Sequence, residues 1–263
     1  MKTKPSRIAL ALLLIGVLAV VVWWMLRSAE QEPVYKGKPL SAWLRGYDAG
    51  MLSEERKEAD EAVRQIGTNA IPILLRMMHA KDSRLTERLG VLAEKQHVIK
   101  VTYRLAWWGY YEAQHGFQAL GAKGRTAVPA LVELYEKNAS GHRSEIAYAI
   151  GAIGPDAKMA IPSLINGLGD IDVNDRATAA WALCEIHSEL QMVVPALINC
   201  LSNKSAFFRS EIAAELGGLG VDAKPAVPAL VALLKDADPM VRKDAEAALK
   251  QIDPEAAAKA GVK

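Results

Sequence analysis

The sequence has few of the residues from which metal and redox sites are built. Its two cysteines, Cys184 and Cys200, do not form the paired spacing of zinc sites, and none of its five histidines belongs to a His-Glu dipeptide. One Glu-x-x-His motif, Glu94 to His97, is present, but a carboxylate-bridged metal site needs a second. A Gly-rich phosphate loop and a nucleophile elbow are absent too. We therefore predict no metal site, no cofactor and no catalytic residue.

The sequence also lacks an excess of charge of one sign. The net charge is +2, of which residues 1–30 contribute +3, so the remainder carries −1. An array that binds nucleic acid is expected to present a basic stripe, because phosphate neutralisation dominates such affinity. No such stripe is visible, and we predict no nucleic-acid partner. Hydrophobic residues make up 51% of the chain, which indicates a globular array and not a disordered tail.

What the sequence does contain is a repeat of fixed period. The segment VPALV at 128–132 recurs as IPSLI from 161, VPALI from 194 and VPALV from 227, so its prolines are 33 residues apart. IPILL, from 71, is a fifth copy, whose proline lies 57 residues before the next. A fixed period in this range is typical of stacked supersecondary units. We expect each repeat proline in the first turn of a helix, where its missing N–H costs nothing: Pro72, Pro129, Pro162, Pro195 and Pro228.

Another helical pattern precedes each proline. Apolar residues spaced by four and three, such as Ile146, Ile150 and Ile153, lie on one helix face. One unit is therefore helix, turn, helix, and the sequence predicts an all-α, two-helix solenoid. Arginines recur 19 residues before the proline and once more in a final half-repeat. We call them the arginine ladder and assign it a structural role against the inter-repeat turns: Arg143, Arg176, Arg209 and Arg242.

The blocks at 149–172 and 216–249 carry this pattern most fully. With them the chain resembles HEAT repeats, and specifically the short bacterial kind called PBS-lyase-like HEAT repeats. The resemblance covers roughly residues 54–252 and implies an armadillo-type superhelix. It is specific for the fold and much less so for function.

The N-terminal segment differs from the repeats. A basic flank at 1–7 precedes residues 8–26, which contain no charged or strongly polar group and would span about 28 Å as a helix. We predict a retained single-pass membrane anchor at 8–26, with the N-terminus inside and the repeats outside the cytoplasm, followed by a linker at 27–34. The alternative is a cleaved secretory signal, although the apolar run is longer than usual and lacks a good small-x-small site.

Further segments flank or interrupt the array. Residues 35–52 are predicted to cap the solenoid with a short helix that carries Trp43. The repeat domain is predicted at 53–252, with an insertion at 81–112, and a C-terminal tail follows at 253–263.

The insertion at 81–112 is the candidate binding site. It interrupts a regular array, and insertions of this kind often carry function. It also concentrates aromatic and basic residues, which are enriched at interface hot spots. The alternative is that its tryptophans only seal the junction with repeat two. The assigned binding residues are Lys100, Arg104, Trp107, Trp108, Tyr110 and Tyr111.

These features favour a non-enzymatic, membrane-anchored scaffold. Its curved face, expected to be formed mainly by the second helices, would bind a protein or peptide partner. The resemblance also implies an alternative, a phycobilin-lyase-like factor that holds a tetrapyrrole or another small molecule. Lyases of that kind are soluble, so the apolar segment at 8–26 counts against this alternative.

Overall fold

A computed structural model of the chain describes residues 32–49, 52–80, 106–137 and 141–262. In these ranges the predicted all-α solenoid is confirmed, apart from one small hairpin in the cap. No helix within them is long and apolar enough to cross a bilayer. The flank at 1–7 and the anchor predicted at 8–26 lie outside the described residues.

The helices alternate along the chain as the repeat predicts. The cap comprises β1 (Val34–Tyr35), β2 (Lys38–Pro39) and α1 (Leu40–Leu44). Repeats one to five follow, each with a first and a second helix: α2 (Glu54–Ile66) and α3 (Ile71–His79), α4 (Ala106–Leu120) and α5 (Val128–Lys137), α6 (Arg143–Ile153) and α7 (Ile161–Gly167), α8 (Val173–Ile186) and α9 (Leu190–Cys200), α10 (Ala206–Gly218) and α11 (Val227–Leu233). A final first helix, α12 (Pro239–Ile252), is followed by the short α13 (Pro254–Lys259).

Short 3-10 segments connect the two helices of most repeats. Three of them have seven residues, 121–127, 154–160 and 220–226, whereas the segment of repeat one, 67–70, has four, as its shorter sequence predicts. Each begins with a glycine at positive φ, between 52° and 78°. Glycine adopts this backbone without steric cost, so it ends the first helix and turns the chain towards the second.

Repeat four departs from the prediction for its proline. Pro72, Pro129, Pro162 and Pro228 are each the second residue of a second helix, but Pro195 is the sixth residue of α9. His187 replaces the turn glycine here, and both it and Glu189 adopt left-handed backbone. The chain turns within these residues instead of through a seven-residue 3-10 segment, so α9 begins earlier. The predicted first-turn position is therefore wrong for Pro195.

The cap is partly a hairpin, not only a helix. Residues 35–39, predicted as helical, form a tight turn in which Lys36 and Gly37 both have positive φ, the geometry that favours two-residue hairpins. Trp43 then packs as the predicted capping side chain: it is 8% exposed, and its indole Nε1 donates to the Tyr35 carbonyl at 3.0 Å. The face of its ring is also covered, because Lys38 Nζ stands 4.4 Å from the ring centroid.

The repeats are held closer together on one side. First helices of neighbouring repeats contact one another far more extensively than second helices do. Since an array packed more tightly along one side curves towards that side, we infer that the first helices form the inner face. This inference differs from the expectation that the second helices form the curved face. The first helices approach one another closely because the side chains between them are small.

Candidate functional site

The structure brings together only some of the residues predicted to form a binding patch. Lys100 and Arg104 lie outside the described residues. Residues 106–112 do not belong to an insertion, because they form the first two turns of α4, the first helix of repeat two. Trp107 lies on this helix, and Trp108, Tyr110 and Tyr111 follow it. Trp108 and Tyr111 are three residues apart and lie on one face of this helix, whereas Tyr110 points about 100° away from Tyr111.

Tyr110 is a packing residue. Its side chain is 1% exposed, its hydroxyl donates to the Ala80 carbonyl at 3.1 Å, and its ring stacks on His142 with centroids 4.0 Å apart. It stands at the arginine-ladder position of repeat two and, like the ladder arginines, reaches a backbone carbonyl. The assignment of Tyr110 to an exposed binding patch is therefore wrong.

Trp108 and Tyr111 are half-buried and touch edge to face, with centroids 6.5 Å apart. Tyr111 also meets His115 edge to face, at 4.6 Å. His115 continues this contact to Tyr148 in the next repeat at 5.9 Å, and Tyr148 stacks on Trp181 at 4.5 Å with an interplanar angle of 11°. These four side chains, Tyr111, His115, Tyr148 and Trp181, form a line across three repeats on the inner face, which we call the aromatic row.

The aromatic row has a signal in the sequence. His115, Tyr148 and Trp181 are 33 residues apart, so they occupy one column of the repeat. The aromatic residues at 107–111 were predicted as the binding site because they are close together in sequence. In a solenoid, however, side chains one full period apart are neighbours in space. Reading the columns for aromatics as well as for prolines and arginines would have found the row.

A buried arginine lies at the N-terminal end of the row. Arg56 is 8% exposed; its Nη2 donates to His115 Nδ1 at 3.0 Å, and its guanidinium lies 5.4 Å from the centroid of the Tyr47 ring. Burial lowers the pKa of His115, and the Arg56 charge lowers it further, so the neutral ring is favoured as the acceptor. This end of the row is thus closed by packing.

The seams between first helices explain why the inner face is tight. Where α6 meets α8, a Cβ added to Gly151 would lie 2.8 Å from the Ala182 Cα. Where α10 meets α12, a Cβ added to Gly217 would lie 2.9 Å from the Ala248 Cα. Such distances leave no room for a side chain, so a Gly opposite an Ala lets two helices approach closely. We call these two contacts the tight seams.

The seam between α8 and α10 differs. In the same columns it has Cys184 in place of the glycine and Glu215 in place of the alanine. The thiol Sγ lies 3.8 Å from the Glu215 backbone oxygen, and the two helices are in less extensive contact than at either tight seam. The larger side chains hold the helices apart, and we call this contact the open seam. Cys184 and Cys200 are both free thiols.

Glu215 is poorly solvated in the open seam. Burial raises its pKa to about 7, and the charges of Glu211 and Glu185 contribute in the same direction. Within the described ranges, no Lys or Arg forms an ion pair with these three carboxylates. The open seam is therefore an acidic place on the inner face that lacks a compensating cation.

The arginine ladder lies at the inter-repeat turns. Arg209 Nη1 donates to the Asn203 carbonyl at 2.7 Å, in the turn before its helix, while Nε and Nη2 hold the two Asp236 carboxylate oxygens at 2.9 and 2.7 Å. Arg143 makes the equivalent ion pair with Asp170. The turns at Asp170 and Asp236 are thereby each bound by two successive arginines, one through the backbone carbonyl and one through the carboxylate.

Two ladder members lack the acidic partner. Arg242 Nη1 donates to the Asp236 carbonyl at 2.7 Å. Arg176 Nη1 donates to the Asp170 carbonyl at 2.7 Å, but the position that would supply its carboxylate is Asn203. Its guanidinium stands over the Phe208 ring at 5.0 Å instead, and its Nε is buried without a partner.

Comparison with known proteins identifies the repeats. Residues 161–250, about a third of the chain, match the family model for HEAT repeats, which does not distinguish the PBS-lyase-like kind. No curated protein matches the chain. In the described ranges, no group of three or more His, Cys, Asp or Glu is arranged to hold a metal ion.

Several solved structures are similar in fold. One is an engineered protein that is 19% identical over 84% of this chain and 85% of its own, with a TM-score of 0.45. Another is a designed armadillo repeat protein in complex with the peptide (KR)4, 18% identical over 82% of this chain and 100% of its own, with a TM-score of 0.46. Computationally designed armadillo repeat proteins for modular peptide recognition match at 18% identity over 81% and 100%, with a TM-score of 0.45. Likenesses at this level say nothing of what this chain binds.

Proposed function

We propose that this chain is a non-enzymatic, membrane-anchored HEAT-repeat scaffold that binds a protein or peptide along its inner face. The aromatic row is the observation that carries the binding role. Tyr111, Tyr148 and Trp181 are only partly buried, although they lie on the face where helices pack most tightly. Rigid aromatic side chains that remain accessible on a concave face are suited to hold an extended segment of a partner.

The row extends over successive repeats, which favours an elongated ligand. Its members step from α4 to α6 to α8, so a ligand that contacts all of them must cross three repeats. A small molecule such as a tetrapyrrole would need an enclosed cleft lined by aromatic and basic groups. The described part of the chain provides no such cleft from the predicted residues, since Tyr110 is buried, and no observation favours the lyase-like alternative.

A peptide-display experiment tests the binding role. The full-length chain, purified in mild detergent, is presented with a library of random peptides. The affinity of the retained peptides is then measured for the parent chain and for its variants. Tyr148→Ala and Trp181→Ala should weaken binding by about tenfold or more, the effect expected for central aromatic contacts. Met159→Ala and Met192→Ala remove exposed apolar side chains elsewhere and should leave affinity within about twofold. Thermal melting identifies variants that fail to fold.

Two outcomes would contradict the proposed binding role. The first is that the folded chain retains no peptide. The second is that the methionine variants weaken binding as much as the aromatic variants, because the inner face would then have no special part in recognition.

The anchor and its orientation are a separate part of the proposal, supported by the apolar run at 8–26. A fusion of alkaline phosphatase to the C-terminus should be active, because that enzyme matures outside the cytoplasm, and the chain should remain with membranes after an alkaline wash. Deleting residues 8–26 should release it. An inactive fusion would contradict the orientation, and release of the intact chain would contradict the anchor.

A further inference from the structure

Trp181 is the last aromatic side chain of its column. One face of its indole stacks on Tyr148, and its edge lies against Gly151. The next position of the column, 33 residues on, is Ala214, which is exposed. Among the described residues, no further ring continues the stack. The indole face directed away from Tyr148 therefore adjoins a position with no large side chain, beside the open seam.

Elsewhere the chain covers its aromatic rings with its own cations. Arg143 lies over Tyr135 and Arg176 over Phe208, each at 5.0 Å, and Lys38 lies over Trp43 at 4.4 Å. No Lys or Arg of the described residues takes this place over Trp181, although tryptophan is the aromatic that attracts cations most strongly. Trp43 is thus covered by a cation of the chain, whereas Trp181 has a ring face over which no cation of the described residues lies.

Three carboxylates lie on the two helices that meet at the open seam. Glu185 follows Trp181 by one turn of α8, while Glu211 and Glu215 flank Ala214 on α10. The charge of Glu185 raises the pKa of Tyr148, a member of the aromatic row, and that of Glu215 in the open seam. We call the set Trp181, Glu185, Glu211 and Glu215 the acidic junction.

We propose that the acidic junction binds a cationic side chain, a guanidinium or an ammonium group, of the partner peptide. This inference rests on the proposed function and specifies its ligand. The cation would lie against the indole face and be neutralised by the carboxylates, which lack any other positive partner in the described structure. A planar guanidinium matches the site better than an ammonium, because it stacks on a ring and binds a carboxylate through two N–H groups at once.

The charge state of Glu215 is consistent with this assignment. Its pKa of about 7 reflects a carboxylate that is desolvated beside two others of like charge. A bound cation would lower that pKa by stabilising the ionised form. The carboxylate of Glu215 accepts a hydrogen bond from the Cys184 thiol, a neutral donor, whereas the carboxylate of Asp236 is paired with the charged Arg209.

The test uses the full-length chain and labelled peptides of defined composition. One peptide alternates alanine with arginine, and its counterparts have lysine, glutamine or glutamate in place of arginine. Fluorescence anisotropy should give an affinity for the arginine peptide about tenfold or more above that of the glutamine peptide, with lysine between them. The affinity should fall as salt is raised, since charge attraction is screened.

Matched variants separate the junction from general electrostatics. Glu211→Gln with Glu215→Gln should weaken the arginine peptide by about tenfold, whereas Glu54→Gln with Glu255→Gln, which removes the same charge from exposed sites, should change it less than about twofold. Trp181→Phe should preserve most of the binding that Trp181→Leu loses.

The inference is overturned if the glutamine peptide binds as well as the arginine peptide, or if both double variants have the same effect. This failure is distinct from that of the proposed function. If the displayed peptides bind through Tyr148 but need no cationic residue, the scaffold role stands and the cationic ligand is excluded. If display retains no peptide at all, both are contradicted.

Discussion

Three seams join first helices from α6 to α12, and they differ in two columns. The tight seams at Gly151 and Gly217 each place a glycine opposite an alanine, while the open seam has Cys184 and Glu215. The repeats on either side share their prolines and most of their core. A two-residue change therefore converts a close packing contact into a place where a carboxylate is partly buried without a cation. The comparison teaches that, in this array, departures from the column pattern mark where neighbouring first helices are held apart.

The tight seams should be the most sensitive part of the comparison. Gly217→Val would force a branched side chain against the Ala248 Cα, and we expect the free energy of unfolding to fall by about 3 kcal/mol, the upper range for overpacking. Gly218→Val is the matched control, because a Cβ there meets nothing within 4 Å. It should leave the free energy of unfolding unchanged or raise it by less than about 0.5 kcal/mol, because valine has a higher helix propensity than glycine. Equal losses in urea denaturation would contradict the close approach.

The open seam should respond in the opposite direction. Glu215 has a folded-state pKa of about 7, above its unfolded value, so the folded state binds the proton more tightly and its stability falls as pH rises from about 4.5 to 7. Glu215→Gln should therefore stabilise the protein at about pH 8 by about 2 kcal/mol, less than the full shift implies because the side chain is partly exposed. Near pH 4 the gain should vanish.

Thermal melts of Glu215→Gln at both pH values check this sign. Glu255→Gln, at an exposed position, is the control and should change neither melt. If Glu215→Gln destabilised the protein at about pH 8, the hydrogen bond from the Cys184 thiol to the Glu215 carboxylate would outweigh the cost of burying the charge.

The ladder offers a smaller comparison between Arg209 and Arg176. Arg209→Ala removes two bonds to Asp236 as well as those to backbone carbonyls, and should cost about 1 to 2 kcal/mol. Arg176→Ala removes the carbonyl contacts and the contact with the Phe208 ring but no ion pair, and should cost about 1 kcal/mol. Chemical denaturation of both variants measures the difference. A greater loss from Arg176→Ala would contradict the contribution assigned to the acidic partner.

The smallest effect is expected from placing an aspartate at position 203. Asn203 stands where Asp170 and Asp236 stand in the neighbouring turns, and its Oδ1 accepts from the Ser205 N–H as those aspartates accept from theirs. Asn203→Asp should keep this bond and give Arg176 a carboxylate, raising stability by about 0.5 to 1 kcal/mol. The gain should disappear in the Arg176→Ala background. A gain that persisted there would come from another source.

The repeat unit could be predicted from sequence because it depends on spacing. Three local patterns predict the unit of helix, turn and helix: a period of 33 residues, apolar residues three and four apart, and a turn glycine. None of these patterns depends on a ligand. Pro195 was misplaced because the left-handed backbone at His187 and Glu189 depends on residues that do not normally end helices. The inner face was expected on the second helices, whereas we infer it on the first helices. The separation of the helices depends on contacts between repeats, such as Gly151 against Ala182.

The candidate site was harder to predict, for a related reason. Trp108, Tyr110 and Tyr111 lie close together in sequence, but Tyr110 points away from the other two and enters the core. Glu185, Glu211 and Glu215 are unremarkable on their own helices. Glu185 lies one turn after Trp181, but the helix of Glu211 and Glu215 comes to lie beside α8 only when repeats four and five are stacked.

The most direct measurement rebuilds the open seam as a tight one. Cys184→Gly with Glu215→Ala reproduces the residues of the other two seams and removes a buried carboxylate. The variant should therefore remain folded, with a melting temperature equal to or above that of the parent. Its affinity for the arginine peptide should fall by about tenfold or more. A folded variant that binds this peptide as tightly as the parent would contradict the account.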